Sequence, residues 1–395
     1  MTTATTEQVF DPAAVIGTRP LPPFSDQVLD FLADLSKAML RDPRCRQYPD
    51  AAAFAFWCRR AGLEQEQRGV DTTHRIARGL VFHIAPGNVP INFAYSLVAG
   101  LLAGNANVVR MPSTDFPQVD FLVSHLARTI EQGHEDLRRY IGLTRYDRTD
   151  RARTDHFSAR CDVRVIWGGD QTIAEIRRSP LAARSFDVTF ADRYSLCVID
   201  AAAYLDSPDA NAVAQGFFND TYLFDQNACT APHLLVWLGS TPDVHRAQTR
   251  FWDALHALVQ REYTLAPVSA VDKLTAAYMF AAEHTGSHLH TRQDNLIVRS
   301  ELDALPTDVD RFHASCGFFF ERHAASLHEI VPLVTRRYQT LSYLGLDHKH
   351  LRDFVLDNGL TGIDRVVPLG RTLDFSLRWD GYNLIETLSR VVVSC

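Results

Sequence analysis

One cysteine lies where a thiol could act as a nucleophile. Cys229 occurs in the segment Phe224-Asp-Gln-Asn-Ala-Cys-Thr-Ala-Pro-His233, between a polar turn and a strongly apolar run. Backbone N–H groups are often free at the start of such a run. A thiolate there could attack a carbonyl carbon while its own N–H holds the developing oxyanion. The attack requires a thiol pKa below the usual value of about 8.5, or a nearby base. Residue type alone favours a small, buried and unreactive cysteine.

The composition is that of a globular protein and excludes several classes. The chain has 395 residues, of which 46% are hydrophobic and 22% charged, enough for two to three domains. Its net charge of −7 argues against nucleic acid as a partner. The seven cysteines are scattered and include no CxxC pair, which fits a reducing cytoplasm. The start of the chain has no secretory pattern, and the longest apolar run, 91–104, is too short to span a membrane. We therefore predict a cytoplasmic protein with no membrane span.

Strand-like and helix-like segments alternate along the chain. Short apolar runs such as 79–86 and 163–167 predict buried parallel strands, and the apolar stretch 92–103 predicts a buried helix. This alternation predicts an α/β fold with helices on both faces of a parallel sheet. A second cycle of alternation begins near residue 211, so we expect a domain boundary near 204–208.

Several motifs together resemble the aldehyde dehydrogenase superfamily. One group is similar to its Pro-x-Asn-x-Pro loop, Gly-Asn turn and Lys-Pro-Ser strand end: His83-Ile-Ala-Pro-Gly-Asn-Val-Pro90, Leu101-Leu-Ala-Gly-Asn105 and Val108-Val-Arg-Met-Pro-Ser-Thr114. Trp167-Gly-Gly-Asp170 is similar to a cofactor loop, and Asp225-Gln-Asn-Ala-Cys-Thr230 to a Gly-Gln-x-Cys nucleophile segment. With Gly370-Arg371 and Trp379-Asp-Gly381, the chain most resembles the acyl-CoA reductase family, the fatty-acid reductase subunit of bacterial bioluminescence systems.

The resemblance implies a domain organisation. An aldehyde-dehydrogenase-like fold has two Rossmann-type domains with the active site in the cleft between them. We expect a dinucleotide-binding domain over residues 1–205 and a catalytic domain with the nucleophile over 206–355. A C-terminal segment, 356–395, is expected to pack back on the cofactor domain.

The resemblance also implies the reaction, which is NADPH-dependent reduction of an acyl thioester to an aldehyde. Cys229 would carry the acyl group, and the Asn88 amide would stabilise the oxyanion together with the Cys229 N–H. Taken alone, the position of Asn88 between Gly87 and Pro90 favours a turn residue. The acyl carrier would be CoA or an acyl carrier protein. We also expect a homo-oligomer and an acyl-transferring or acyl-activating partner enzyme.

The expected cofactor residues lie in three short segments. Gly168 and Gly169 would let the backbone approach a ligand closely at the start of a helix. The chain has no G-x-G-x-x-G motif, and the superfamily binds its dinucleotide differently. The complete expected set is Pro86, Gly87, Arg110, Pro112, Ser113, Thr114, Gly168, Gly169 and Asp170.

Two departures from the superfamily pattern carry information. The lysine and glutamate of Lys-Pro-Ser-Glu correspond to Met111 and Thr114 in this chain. The glutamate carboxylate would repel the 2′-phosphate of NADPH, and Thr114 carries no such charge. We therefore expect NADPH as the cofactor. The glutamate base of the oxidising enzymes falls on Thr189 or Phe190. Without that base, water attacks the acyl-enzyme slowly, which favours a reductase. Asp187 and Asp192 are close enough in sequence to leave this second inference open.

Two other functions fit the same residues. The same fold could serve a CoA-acylating aldehyde dehydrogenase that works oxidatively, and a non-redox acyl-transfer or carrier-binding protein could use the same cysteine. We predict no metal site, because the histidines near residues 284–290 have no obvious acidic third ligand. The mixed charges of residues 145–155 are expected to form an exposed turn with weak ion pairs.

Overall fold

Two large β-sheets organise the part of the chain that the structure describes, residues 10–87 and 89–394 of a computed structural model. Each sheet belongs to its own unit of the fold. The first unit comprises the chain up to Ala191 together with Phe375 onwards, and the second comprises Asp192–Asp374. Both units are α/β, as the alternation of the sequence predicts.

The strands are numbered along the chain. They are β1 (Arg75–Ala77), β2 (Leu80–Ile84), β3 (Ala106–Arg110), β4 (Ile141–Thr144), β5 (Val163–Trp167), β6 (Phe186–Phe190), β7 (Tyr194–Asp200), β8 (Pro232–Leu238), β9 (Ser287–Thr291), β10 (Val298–Leu302), β11 (Phe318–Ala324), β12 (Tyr338–Leu344), β13 (Arg365–Pro368), β14 (Arg378–Trp379), β15 (Tyr382–Asn383) and β16 (Ser389–Val391).

The helices are numbered in the same way. They are α1 (Asp26–Arg41), α2 (Pro49–Trp57), α3 (Arg60–Arg68), α4 (Asn92–Leu102), α5 (Pro117–Glu131), α6 (Arg151–Ser158), α7 (Asp170–Ile176), α8 (Ala201–Asp206), α9 (Ala210–Thr221), α10 (Thr241–Glu262), α11 (Pro267–Glu283), α12 (His348–Asp357) and α13 (Leu384–Leu388). In the described part of the chain, none of these helices has the length and apolar character that crossing a bilayer requires.

The sheet of the first unit is parallel and has the strand order β4-β3-β2-β5-β6. All residues of β2, β4 and β5 are buried, as expected for parallel strands covered on both faces. The chain runs from β2 through β3 to β4 on one side of β2, and then returns to place β5 on the other side. The strand order therefore reverses between β2 and β5.

The sheet of the second unit has the order β13-β12-β7-β8-β11-β10-β9. Its strand pairs are parallel except for β9, which runs antiparallel to β10. Because β7, β8, β11 and β12 are parallel, the segments that precede them lie along one edge of this sheet. The segment before β8 contains Cys229.

The unit boundary lies before the one expected from sequence. β7 follows the last strand of the first sheet closely in sequence, but it pairs with β8 and β12, so the second unit begins at Asp192 rather than at residue 206. Residues 356–374 also belong to the second unit, because β13 pairs with β12. Only Phe375 onwards belongs to the first unit, where β16 pairs with β1.

Candidate active site

Cys229 lies in a tight turn immediately before β8. The turn is closed by a 2.9 Å hydrogen bond from the Ala231 N–H to the Ala228 carbonyl, and Cys229 is half-buried. Two residues just upstream, Asp225 (φ 52°) and Gln226 (φ 60°), adopt the left-handed backbone region. That region is costly for residues other than glycine, so tertiary contacts must hold the loop in this shape.

The side chain of Gln226 supplies four of those contacts. It is 1% exposed, and its amide nitrogen donates to the Pro232 and Phe318 carbonyls at 3.0 and 2.9 Å. Its amide oxygen accepts from the Gly317 and Phe318 N–H groups at 3.0 and 3.2 Å. One side chain therefore ties the loop that contains Cys229 to the starts of β8 and β11. In the sequence, Gln226 stands out only as part of the Asp225–Thr230 motif.

A serine on the neighbouring strand fixes the backbone of Cys229 itself. The hydroxyl of Ser195, on β7, donates to the Cys229 carbonyl at 2.7 Å and accepts from the Thr340 N–H, on β12, at 3.1 Å. Ser195 is fully buried. Three adjacent parallel strands thus fix the position of the turn.

The thiols differ in their access to solvent. Cys45, Cys58, Cys161 and Cys197 are buried, and burial raises the pKa of Cys161 and Cys197 to about 12. Among the described cysteines, half-burial is shared by Cys229 and Cys316. The Cys316 N–H donates to the Asp225 carbonyl at 3.0 Å, so Cys316 lies beside the loop that contains Cys229.

A cavity of about 570 Å³ opens next to that loop. Asp225 and Asn227 line it on one side, α11 on another, and the segment His313–Cys316 on a third. The Ser315 hydroxyl donates to the Asn227 side-chain oxygen at 2.9 Å. The cavity thus borders the same loop two residues before Cys229.

In the first unit, the expected cofactor loops meet at the point where the strand order reverses. Pro86 and Gly87 follow the carboxyl end of β2, and Gly168, Gly169 and Asp170 follow the carboxyl end of β5. Ligands of open parallel sheets bind in the crevice at such a point. The structure brings these two loops to one edge although they are about 80 residues apart in sequence.

The third expected segment lies at the same edge. A Cβ atom added at Gly87 would lie 3.7 Å from the Ser113 Oγ, so these two residues are neighbours. Ser113 and Thr114 are exposed and Pro112 is buried. Met111, where the superfamily has lysine, is only 4% exposed and points into the core.

The two glycines of the second loop differ in their surroundings. A Cβ at Gly168 would lie 3.1 Å from the Thr172 methyl carbon, whereas one at Gly169 would meet no heavy atom within 4 Å. The helix that follows, α7, has only seven residues and begins with Asp170. The Asp170 carboxylate at the start of α7 repels an anion, which opposes the attraction of the helix dipole. This loop can therefore hold a dinucleotide because the glycine backbone allows a close approach, not because of the helix dipole.

A buried hydrogen-bond network supports these loops from below. The Trp167 indole N–H, at the end of β5, donates to the Ser96 hydroxyl at 3.0 Å. The same hydroxyl lies 2.7 Å from Nδ1 of His83. Nε2 of His83 lies 3.0 Å from the side-chain oxygen of Asn107. Burial lowers the pKa of His83 to about 4, so the imidazole is neutral. A neutral ring can then accept from Ser96 and donate to Asn107.

The expected position of the glutamate base, Thr189 or Phe190, carries no carboxylate. Phe190 is 4% exposed and stacks on Trp167 with ring centroids 3.7 Å apart. The nearby Asp187 carboxylate is held by Arg164 at 2.7 Å and Arg177 at 3.3 Å. Asp187 is therefore committed to ion pairs.

The remaining expected residues have different outcomes. Asn88 lies outside the described residues. Gly370 and Thr372 donate their N–H groups to the buried Asp220 carboxylate at 2.6 and 3.0 Å, which gives the Gly370-Arg371 motif a structural role. No group of three or more His, Cys, Asp or Glu side chains is placed to hold a metal ion among residues 10–87 and 89–394.

Solved structures with this fold are aldehyde dehydrogenases. An NAD-dependent benzaldehyde dehydrogenase from Corynebacterium glutamicum matches with a TM-score of 0.63 and 13% identity, over 98% of this chain and 88% of that one. Aldehyde dehydrogenase 21 from Physcomitrella patens, solved with the product succinate, matches with a TM-score of 0.67 and 13% identity, over 99% and 91%. The class of the protein is thus aldehyde-dehydrogenase-like in fold.

The chain belongs to the acyl-CoA reductase (LuxC) family, which matches residues 62–391. The long-chain acyl-protein thioester reductase of Vibrio harveyi is 28% identical over 167 residues, 41% of this chain and 32% of that protein. The enzyme of the same name from Photorhabdus luminescens is 26% identical over 168 residues, again 41% and 32%. The chain thus matches about a third of the length of these curated relatives. The family expected from the motifs is confirmed.

Proposed function

We propose that the protein reduces an acyl thioester to an aldehyde with NADPH, using Cys229 to hold the acyl group. Family membership supports the reaction class. One observation carries the assignment to Cys229: this half-buried residue is held in one geometry. Ser195 fixes its carbonyl, and Gln226 holds the loop that contains it. A nucleophile held in one geometry is what covalent catalysis requires.

The chain's own residues perform the covalent steps. The Cys229 thiolate attacks the carbonyl carbon, a C–S bond forms, and the bond to the carrier breaks, so that the carrier leaves as a thiol after taking a proton. The acyl group is then a thioester of Cys229. A bound nicotinamide would supply the hydride for the reduction. Cys229 would then leave as a thiolate when its C–S bond breaks, which releases the aldehyde. We assign Asn88 and the Cys229 N–H as oxyanion donors, each worth about 10²–10³ in rate.

Loss of the hydrolytic base supports the reductive direction. Phe190 is stacked on Trp167 and Asp187 is paired with two arginines, so neither residue is available to activate water against the acyl-cysteine. The exposed Asp192 is the remaining carboxylate of this stretch. The acyl group therefore persists until it is reduced or returned to a thiol.

The residues at the first sheet fit a dinucleotide. The strand order reverses between β2 and β5, where a ligand can bind. There is open space above Gly169, and Gly87 is a neighbour of Ser113, so a ligand can approach the backbone at this surface. We assign Pro86, Gly87, Arg110, Pro112, Ser113, Thr114, Gly168, Gly169 and Asp170 to this site. Thr114 places no carboxylate against a 2′-phosphate, which favours NADPH.

The substrate and the setting are further parts of the proposal. The matched relatives are named for acyl-protein thioesters, so an acyl group on a carrier protein is a candidate beside acyl-CoA. We include a cytoplasmic setting, a homo-oligomer and an acyl-transferring or acyl-activating partner enzyme.

The experiment is to mix the protein with NADPH and acyl-CoA of several chain lengths and to follow the absorbance of the reduced cofactor. Oxidation that is lost in Cys229→Ala and kept in Cys197→Ala supports the proposal. Cys197 is the matched control, because it is a buried thiol on β7. An acyl-enzyme that forms at Cys229 without consuming NADPH would contradict reduction and would favour acyl transfer.

A further inference from the structure

A second thiol belongs to a cluster of titratable side chains that the proposed reaction does not use. Cys316 is half-buried, and its backbone lies in the left-handed region (φ 60°), which is uncommon for a residue other than glycine. Its N–H donates to the Asp225 carbonyl at 3.0 Å. The Tyr263 hydroxyl donates to the Asp225 carboxylate at 2.6 Å and also forms a hydrogen bond with the Cys316 side chain. Backbone and side-chain contacts therefore both hold Cys316 in place.

A buried lysine is bonded to the backbone of this cysteine. Lys273, on α11, is fully buried, and its ammonium donates to three backbone carbonyls, those of Cys316, Asn295 and Leu296, at 2.8, 2.5 and 3.3 Å. Burial lowers the pKa of Lys273 to about 8, and the negative charge of a Cys316 thiolate opposes this more strongly than Asp294 does. Because a buried charge is stabilised by an opposite charge nearby, Lys273 and a Cys316 thiolate form a complementary pair.

Cys316 also lines the cavity of about 570 Å³ that borders the loop with Cys229. A cavity of this size admits a small molecule. The carboxylates of Asp225 and Asp272 line it, whereas the described residues of its wall include no lysine or arginine. His313 is the other titratable side chain of the lining. The two carboxylates should attract a cationic molecule to this thiol and repel an anionic one.

We propose that Cys316 is a reversible modification site that takes small disulfides and prefers cationic to anionic ones. The Cys316 thiolate attacks one sulfur of the disulfide, a new S–S bond forms, and the other half leaves as a thiolate that takes a proton from water. Cys316 is thereby oxidised to a mixed disulfide, and the departing half is reduced to a thiol. The bound half occupies the cavity beside Asp225 and Asn227, and a free thiol removes it by the same exchange. This inference goes beyond the proposed function and does not depend on the reaction of Cys229.

The test compares three disulfides of different charge: cystamine (cationic), bis(2-hydroxyethyl) disulfide (neutral) and oxidised glutathione (anionic). Each is mixed with the Cys229→Ala variant of the full chain, which leaves Cys316 as the half-buried thiol of the described cysteines. Peptide mass spectrometry follows the mixed disulfide at Cys316. Each rate is divided by the rate of the neutral model thiol N-acetylcysteine amide with the same reagent, which removes the intrinsic differences between the disulfides.

We expect the normalised rate with cystamine to exceed that with oxidised glutathione by about tenfold at low salt, with the neutral disulfide between them. High salt should reduce this preference, because it screens the carboxylates. Dithiothreitol should release the bound half and restore the free thiol.

Substitutions separate the charge of the cavity from the reactivity of the thiol. Asp272→Asn removes one carboxylate from the lining and should reduce the preference to about threefold. Asp357→Asn, at an exposed position of α12 outside the lining, is the matched control and should keep the preference. Lys273→Met removes the ammonium and should slow the reaction with all three disulfides by about tenfold.

Three results would overturn the inference. They are no mixed disulfide at Cys316 in the folded protein, equal normalised rates for the three disulfides, and a preference that Asp272→Asn leaves unchanged. Thermal unfolding shows whether Lys273→Met folds. If that variant does not fold, the comparison of the disulfides and the Asp272→Asn variant still decide between the proposal and its rejection.

Discussion

The hydroxyl of Ser195 donates a 2.7 Å hydrogen bond to the carbonyl oxygen of Cys229, across 34 positions of sequence. The same hydroxyl accepts the Thr340 N–H, so it cannot rotate away without leaving two buried groups unpaired. The carbonyl of the proposed nucleophile is therefore fixed by a side chain outside its own loop.

Ser195→Ala should slow acylation of Cys229 by about tenfold or more, because the turn loses this donor while the thiol itself is unchanged. Single-turnover release of the carrier thiol from acyl-CoA measures the step. The matched control is Ser342→Ala, which removes another buried hydroxyl that donates to the Leu196 carbonyl at 3.3 Å. Equal acylation rates in the two variants would contradict a positioning role for Ser195.

Gln226→Met should lower the free energy of unfolding by about 3 kcal/mol or more. Methionine has a similar volume but leaves the N–H groups of Gly317 and Phe318 and the carbonyls of Pro232 and Phe318 without these partners. Urea unfolding followed by tryptophan fluorescence measures the change. Gln215→Met, at an exposed position on α9, should change the same quantity by less than about 0.5 kcal/mol.

Among the described cysteines, Cys229 and Cys316 should react first with iodoacetamide, because the other four are buried. Peptide mass spectrometry at short reaction times resolves the order. Incubation with acyl-CoA should then protect Cys229 and leave Cys316 reactive, since only the former is expected to carry the acyl group. Protection of Cys316 alone would show that Cys316 carries the acyl group, which would contradict the assignment to Cys229.

Gly169→Ala should fold normally and bind NADPH about tenfold more weakly. Its added Cβ meets no heavy atom within 4 Å and its φ of −62° suits any residue, so the only cost is to a ligand that approaches the backbone. Gly100→Ala is the contrasting variant, because its Cβ would lie 1.9 Å from the Asn107 Oδ1 and should destabilise the fold itself. Undiminished NADPH binding by Gly169→Ala would remove this glycine from the proposed site.

His83 should make the fold less stable in acid. Burial lowers its native pKa to about 4, below the value of about 6.5 in the unfolded chain, so the unfolded state binds a proton that the native state does not. Stability is therefore lost as the pH falls from about 6.5 towards 4, by about 2 kcal/mol between pH 7 and pH 5. Urea unfolding of the natural protein and of His83→Gln at both pH values isolates this contribution. A loss of the same size in the variant would show that another group causes it.

Local patterns in the sequence were sufficient to predict the fold class and the family. Apolar runs bounded by Pro and Gly predict buried strands wherever they occur, and the motifs around Gly87, Gly168 and Cys229 are contiguous in the chain. These features depend on neighbours a few residues away, so they can be recognised without knowing the partners of a strand.

Partners distant in sequence were decided by the tertiary structure alone. In a parallel sheet, adjacent strands are joined by crossovers of a dozen residues or more, so proximity in sequence does not identify a neighbour in space. For this reason β7 belongs to the second unit although it follows β6 closely, and the boundary differs from the expected one. For the same reason the chain alone could not show that Gln226 contacts Phe318, 92 positions away. The sequence specifies which residues can do chemistry, and strand pairing determines which of them meet.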